Sequence, residues 1–90
     1  MSKNKRKVTI KASGPSKLKV RLDGKRVKLV DGKQTKKLRP GYYSIEWYVE
    51  GSIGETYTVV VEQGEKKHLN HEADLDSSFK DNGAKFFEVA

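Results

Sequence analysis

The chain has 90 residues, of which 34% are apolar and 34% charged, and its formal net charge is +7. This length suits one small domain with a modest hydrophobic core and leaves no room for a second domain. The sequence contains no cysteine, which excludes disulfides, zinc–thiolate sites and thiol nucleophiles. No apolar run approaches the about 20 residues of a membrane helix, and the basic start lacks the apolar stretch of a signal peptide.

Basic residues are concentrated in the first part of the chain. Residues 1–40 contain 15 of the 19 lysines and arginines and 2 acidic residues, whereas residues 41–90 contain 4 basic and 10 acidic residues. This asymmetry has two explanations: strands exchanged between the halves neutralise the charge internally, or the basic half binds a polyanion. We favour internal or merely solvated charge.

Apolar residues recur at every second position, which predicts β-strands and no helix. Residues 1–7 are polar and basic without this alternation, so we expect them to be disordered and a single domain to span residues 8–90. The first strand contains Val8, Ile10 and Ala12 and ends in a run of turn-forming residues at 13–16.

A tight hairpin is predicted at Asp23-Gly24, because both residues tolerate the positive φ of a two-residue turn. The turn fixes the register of the strands on either side of it. The inward pairs across this hairpin are then Leu22–Lys25, Val20–Val27 and Leu18–Leu29.

The outer face of the same hairpin carries opposed basic residues, Arg21 with Arg26 and Lys19 with Lys28. Directly opposed like charges are unfavourable, so we expect a negative group nearby. One candidate is an acidic strand of the same domain, carrying Glu46 and Glu50. The other is a bound phosphate, nucleic acid or acidic glycan.

Two further turn signals follow the hairpin. Asp31-Gly32 is interpreted as a loose loop, since a tight turn would place Lys36 opposite Val27 on the core side. Pro40-Gly41 has the type II signature, with proline where φ is near −65° and glycine where φ is positive. We therefore expect a loop and then a type II turn before the next strand.

The strongest strand signal comes after Pro40-Gly41. The residues predicted to face inwards are Tyr43, Ile45, Trp47 and Val49, and those predicted to face outwards are Tyr42, Ser44, Glu46, Tyr48 and Glu50. A central strand around Val59 and a weaker strand over residues 68–75 follow. Asp81-Asn82-Gly83 signals a last turn, and the segment around Phe86 is expected to close a sheet or dock as an extra edge. Turn signals spaced by roughly 8 to 12 residues predict a small antiparallel β-sandwich of about seven strands.

Three stretches of the chain share their turn chemistry with a known family: the hairpin at 20–27, the Pro-Gly corner and following aromatic residues at 38–45, and the strand and turn at 59–65. Through them, residues 18–75 resemble the PEGA-like domains, small immunoglobulin-like β-sandwiches found mostly in bacterial and archaeal surface or exported proteins. The resemblance implies an extracytoplasmic module that spaces or adheres rather than catalyses. It supplies no catalytic residues.

No catalytic, cofactor or metal site is predicted. His68 and His71 stand three positions apart, and strand alternation sends such residues to opposite faces, where they do not readily share a metal. The glycines punctuate turns and form neither a dinucleotide-binding motif nor a Walker loop, and no nucleophile-elbow motif is present. We therefore expect a protein that is not an enzyme and has no cofactor.

Two functions remain. The leading hypothesis is a monomeric structural or interaction module that contacts a protein or a cell-surface component and does not insert into a membrane. The alternative is a domain that binds a polyanion, either nucleic acid or an acidic glycan, through a basic sheet face. Its anion-binding residues are predicted to be Lys17, Lys19, Arg21, Arg26 and Lys28, with Tyr48 as a stacking platform.

Overall fold

A computed structural model describes residues 5–15, 17–75 and 79–90. These residues form eight strands and no helix: β1 (Arg6–Ser13), β2 (Lys17–Leu22), β3 (Lys25–Arg26), β4 (Lys33–Leu38), β5 (Gly41–Glu50), β6 (Thr56–Gln63), β7 (Lys66–Asp74) and β8 (Lys80–Val89). With no helix in these ranges, none of them provides a helical membrane span.

The strands form two antiparallel sheets of four strands each. Sheet A has the order β4-β1-β6-β7, and sheet B has the order β3-β2-β5-β8. The prediction of a small all-β sandwich is confirmed, with eight strands where about seven were expected. Because β1 begins at Arg6, Arg6 and Lys7 belong to a sheet rather than to the disordered terminus predicted for residues 1–7. Residues 1–4 lie outside the described part of the chain.

The core lies between the sheets and is built from alternate residues of each strand, as the sequence predicts. Val8, Ile10 and Ala12 line sheet A, and Ile45, Trp47 and Val49 line sheet B, all of them buried. The other buried apolar residues are Val20, Leu22, Val27, Tyr57, Val59, Val61, Leu69, Leu75, Phe87 and Val89. The strand around Val59, β6, is central in sheet A, as expected.

The predicted hairpin at Asp23-Gly24 is present. Asp23 and Gly24 have φ of 51° and 80°, and Leu22 lies opposite Lys25. The carboxylate of Asp23 also accepts a hydrogen bond from the Ser44 backbone N–H at 2.8 Å. The turn is therefore tied to strand β5 as well as to its own strands.

The prediction of a loose loop at Asp31-Gly32 is wrong. Asp31 and Gly32 have φ of 55° and 76°, and Val30 and Lys33 exchange backbone hydrogen bonds of 3.0 and 3.1 Å around them. This is a tight turn, but the chain leaves sheet B here, and β4 pairs with β1 in sheet A. Lys36 consequently lies opposite Val8. Lys36 is therefore not placed opposite Val27, because that expected register assumed that the strands on either side of the turn pair with each other.

The Pro40-Gly41 corner also differs from its prediction. Gly41 has a φ of 152°, far from the about 80° that a type II turn requires at this position. The segment is a bend that carries the chain from β4 in sheet A to β5 in sheet B. A crossing between layers does not need the compact reversal of a hairpin.

The last turn signal is wrong, whereas the edge predicted around Phe86 is confirmed. Asp81, Asn82 and Gly83 lie inside β8, which pairs with β5 at the edge of sheet B. Gly83 lies opposite Trp47, and a Cβ at Gly83 would overlap the indole ring. Glycine is therefore required here for space rather than for a turn.

Candidate functional site

The outer face of sheet B contains the basic residues that the sequence singles out. Lys17, Lys19 and Arg21 lie on β2, Arg26 on β3, and Lys28 just beyond β3, and all five are exposed. Tyr48 lies on β5, opposite Lys19, and 37% of its surface is exposed. The fold therefore brings all six predicted residues to one side of the molecule.

Of the two predicted like-charge pairs, only the one next to the turn of the hairpin is present. Arg21 lies opposite Arg26, as the turn register requires. Strand β3 has only two residues, so Lys19 and Lys28 do not form a ladder pair. They line a shallow groove together with Leu18, Arg26, Val27 and Leu29.

One of the two candidates for the negative group, the acidic strand that carries Glu46 and Glu50, lies next to these basic residues. In the β2–β5 register, Arg21 lies opposite Glu46 and Lys17 lies opposite Glu50. Opposite charges on neighbouring strands attract each other, so β5 offsets part of the basic charge. The row that joins Lys19, Tyr48 and Asn82 contains no acidic side chain.

A shallow depression of about 560 Å³ lies at the centre of this face. Its lining includes Lys19, Arg21, Glu46, Trp47, Tyr48, Asn82, Gly83 and Ala84. The small side chain of Ala84 lies opposite Glu46, on the edge strand β8. The volume is typical of ligand sites, and its lining combines charged side chains with the aromatic rings of Trp47 and Tyr48.

Two exposed aromatic side chains lie towards the other end of the same face. Tyr42 on β5 and Phe86 on β8 are each 77% exposed. Tyr42 lies opposite Glu88, and Phe86 lies opposite Ser44, so the two aromatic residues are diagonal neighbours in the sheet. Sequence alternation predicts Tyr42 on the outside, but it leaves Phe86 unassigned because Phe86 and Phe87 are adjacent and only one of them can face the core.

A separate polar cluster lies between the sheets around the hydroxyl of Tyr57. This hydroxyl donates to Asp81 Oδ2 at 2.5 Å and accepts from Trp47 Nε1 at 3.2 Å, while His71 Nε2 lies 3.0 Å away. A tyrosine hydroxyl has one hydrogen and two acceptor positions, so the remaining bond requires the His71 proton on Nε2. The Tyr57 hydroxyl thus uses its one hydrogen and both of its acceptor positions.

Burial, and after it the hydrogen bond to Asp81, raise the pKa of Tyr57 to about 12. A tyrosine that acts as a nucleophile or general base needs its pKa shifted downwards, towards neutral pH. The cluster therefore has the properties of a structural tie between the sheets.

The two histidines are not separated by strand alternation in the way the sequence suggests. A β-bulge makes His68 an extra residue, because Leu69 pairs with Val61 and Lys67 pairs with Glu62. The His68 ring lies 5.2 Å from that of Phe87 in the opposite sheet, and the His71 ring lies 4.8 Å from that of Trp47. The expectation of opposite faces is wrong, since both rings contact residues of sheet B.

Each histidine has its own hydrogen-bond partner. His68 Nε2 lies 2.8 Å from Gln63 Oε1, whereas His71 bonds Tyr57. Burial lowers the pKa of His68, and the positive charge of Lys66 lowers it further. Within residues 5–15, 17–75 and 79–90, no cluster of three or more histidine, aspartate or glutamate side chains has the geometry to hold a metal ion.

Comparisons with models of protein families, with curated proteins and with solved structures each found no match. The resemblance to PEGA-like domains stays a prediction. A functional proposal for this chain therefore rests on its own residues and their arrangement.

Proposed function

We propose that this protein is a non-catalytic interaction module that binds a protein partner through the outer face of sheet B. The observation that carries the proposal is the exposure of Tyr42 and Phe86, at 77% each, next to a surface of mixed charge. Large aromatic residues and arginine are enriched in protein interfaces, where they provide much of the binding energy. The spacing or adhesive role implied by the PEGA-like resemblance belongs to the same proposal.

The mixed charge of this face favours a protein over a polyanion. Glu46 and Glu50 lie on the central strand β5, opposite basic residues of β2, and Glu88 lies beside Tyr42. A nucleic acid would meet these carboxylates with its own negative charges, which is unfavourable. A protein can place lysine or arginine against them and acidic residues against Arg21 and Lys19.

A photo-crosslinking amino acid in place of Phe86, introduced into the protein in its native host, tests this proposal. We expect one dominant crosslinked protein, because an interface fixes which partner lies next to position 86. The matched control is the same amino acid at Ile53, which is 61% exposed and lies in the loop between β5 and β6. Equal crosslinking from positions 53 and 86, or no adduct at position 86, would contradict the proposal.

The Tyr42→Ser and Phe86→Ser variants provide a second readout with the isolated partner. Both side chains are exposed, so neither change is expected to unfold the protein. We expect each to weaken binding about tenfold or more, as interface aromatics commonly do on truncation. Ile53→Ser is expected to leave the affinity unchanged.

A second candidate function is binding of single-stranded nucleic acid or an acidic glycan by Lys17, Lys19, Arg21, Arg26 and Lys28, with stacking on Tyr48. It is favoured by the depression, in which Lys19, Arg21 and Tyr48 lie together. Titration with a labelled single strand and with heparin at about 50 mM salt tests it, because such binding is strongest at low salt. No binding of either ligand would exclude this candidate.

A further inference from the structure

Sheet A carries a second basic surface on its outer face, formed by Lys7, Lys11, Lys33 and Lys37; we call it the lysine ladder. Lys7 lies opposite Lys37, and Lys11 lies opposite Lys33, in the register of β1 with β4. All four lysines are exposed. This surface is distinct from the outer face of sheet B, which lies on the other side of the sandwich.

Hydroxyl groups separate the two lysine pairs. Thr9 lies opposite Thr35 at the middle of the ladder, and their Oγ1 atoms are 3.2 Å apart. Lysine ammonium groups and threonine hydroxyls are both common ligands of phosphate oxygens. The ladder thus alternates charged and neutral donors along one direction.

In the described part of the chain, acidic side chains lie beside the Lys11 and Lys33 end of the ladder. Lys11 Nζ lies 3.0 Å from Glu62 Oε1, and Asp31 lines a shallow pocket with Lys11 and Lys33. The pair of Lys7 and Lys37 lies at the other end, where no acidic residue stands opposite either lysine in the strand pairing. An unfavourable pair of like charges is therefore left there for an external anion to relieve.

The neighbouring side chains indicate which kind of anion fits. The outward residues of β1, β4 and β6 next to the ladder are serine, threonine, valine and glutamate, and none of them is aromatic. Recognition of unpaired bases commonly uses stacking on aromatic rings, which this surface does not offer. A partner that is recognised through its phosphate groups alone fits this surface better.

The spacing of the ladder agrees with a duplex. Four residues separate Lys7 from Lys11 along β1, which corresponds to about 13 Å at ~3.3 Å per residue. The major groove of B-DNA is about 12 Å wide, so lysine pairs with this separation can reach phosphates of both strands across it.

We propose that the lysine ladder binds the phosphate backbone of double-stranded DNA without sequence specificity, one lysine pair to each strand bordering the major groove. The proposal concerns a surface other than the one assigned to a protein partner, and its failure leaves that function untouched.

Fluorescence anisotropy with a labelled duplex of mixed sequence tests the proposal. We expect binding at about 50 mM salt, with log affinity falling against log salt at a slope of about −3 to −4, since each neutralised phosphate contributes ~0.9. The Lys33→Glu/Lys37→Glu variant should bind at least about tenfold more weakly, because it replaces attraction with repulsion at two phosphate contacts. It also turns both like-charge pairs into opposite-charge pairs, so it should not lose stability.

The matched control is Lys25→Glu/Lys85→Glu, which makes the same change in net charge at exposed positions on the two edge strands of the other sheet. It should keep most of the duplex affinity. No duplex binding at about 50 mM salt, or an equal loss in both variants, would overturn the proposal. A ladder-dependent affinity higher for heparin than for the duplex would also overturn it and assign the surface to a sulfated glycan. Preference for a single strand, lost in Lys19→Glu/Lys28→Glu but not in the ladder variant, would overturn it in favour of sheet B.

Discussion

At the scale of single residues, the Tyr57 hydroxyl forms a polar contact between the two sheets. Tyr57 belongs to β6 in sheet A, whereas Trp47 and Asp81 belong to β5 and β8 in sheet B. The hydroxyl is bonded to both, and the tyrosine side chain is buried. Removing it leaves polar groups without a partner, which costs more than the bond itself contributes.

Stability is predicted to fall between about pH 10 and pH 12, and Tyr57 is the cause. The folded-state pKa of about 12 lies above the ordinary value of 10.0, so the contribution of neutral Tyr57 is complete below pH 10 and is lost as pH approaches 12. By linkage this loss is on the order of 2 kcal/mol. Denaturant unfolding at a series of pH values measures it.

Tyr57→Phe should lower the free energy of unfolding at pH 7 by about 1 to 3 kcal/mol and make the loss above pH 10 smaller than in the wild type. Tyr42→Phe is the matched control, because Tyr42 is 77% exposed and its removal should change neither quantity. An unchanged pH dependence in Tyr57→Phe would show that another group causes the alkaline loss.

Sequence reasoning predicts one partner of this contact and misses the other. Strand alternation correctly places Tyr57 and Trp47 inside. It does not identify Asp81, because Asp81-Asn82-Gly83 has the composition of a turn. These residues are present for other physical reasons: Asp81 accepts a hydrogen bond from the Tyr57 hydroxyl, and Gly83 leaves space for the Trp47 ring. Only the pairing of β8 with β5 distinguishes the two explanations.

At the scale of strands and turns, the sequence predicts strands more reliably than it predicts which strands are neighbours. Alternation identifies the inward faces of β1, β2, β5 and β6, and the Asp23-Gly24 register holds through Arg26. The errors at Asp31-Gly32 and Pro40-Gly41 occur where the chain crosses between sheets. Local turn chemistry is the same whether the next strand stays in the sheet or leaves it, so these crossings need tertiary information.

The Asp31-Gly32 turn supports sheet A directly, and this leads to a prediction. Gly32 has a φ of 76° and its carbonyl accepts a hydrogen bond from Ala12 N at 2.9 Å. A Cβ at Gly32 would lie 2.9 Å from the Ala12 carbonyl oxygen. Gly32→Ala should therefore suffer both the cost of positive φ, about 1 to 2 kcal/mol, and a steric clash.

Gly64→Ala is the matched variant for this prediction. Gly64 has a φ of 60°, and a Cβ there meets no atom within 4 Å. Gly64→Ala should show the conformational cost alone. Gly32→Ala should therefore lose at least about 1 kcal/mol more of its free energy of unfolding than Gly64→Ala, as measured by denaturant unfolding. Equal losses would mean that the turn moves away from β1 without cost.

At the scale of the whole molecule, the basic first part of the chain and the acidic second part lie side by side in both sheets. Strands β1 to β4 occupy one half of the two sheets, and β5 to β8 occupy the other. The halves meet where β1 pairs with β6 and β2 pairs with β5, and there basic residues face Glu46, Glu50 and Glu62. At this boundary Lys11 forms an ion pair with Glu62, and Arg21 and Lys17 lie opposite Glu46 and Glu50 in the strand register. This arrangement is consistent with internal neutralisation, the favoured interpretation of the sequence.

The outermost like-charge pair leads to the last prediction. Lys37→Glu places a carboxylate opposite Lys7, so the free energy of unfolding should rise by about 0.5 to 1 kcal/mol at low salt. The gain should shrink at about 0.5 M salt, where charges more than a few ångströms apart are screened. Lys37→Gln, which only removes the charge, should give a smaller gain.

A loss of stability in Lys37→Glu at low salt would show that the pair is not repulsive. A gain would show that the native sequence keeps a locally unfavourable arrangement here, which is characteristic of functional surfaces and is consistent with an anion-binding role for the lysine ladder.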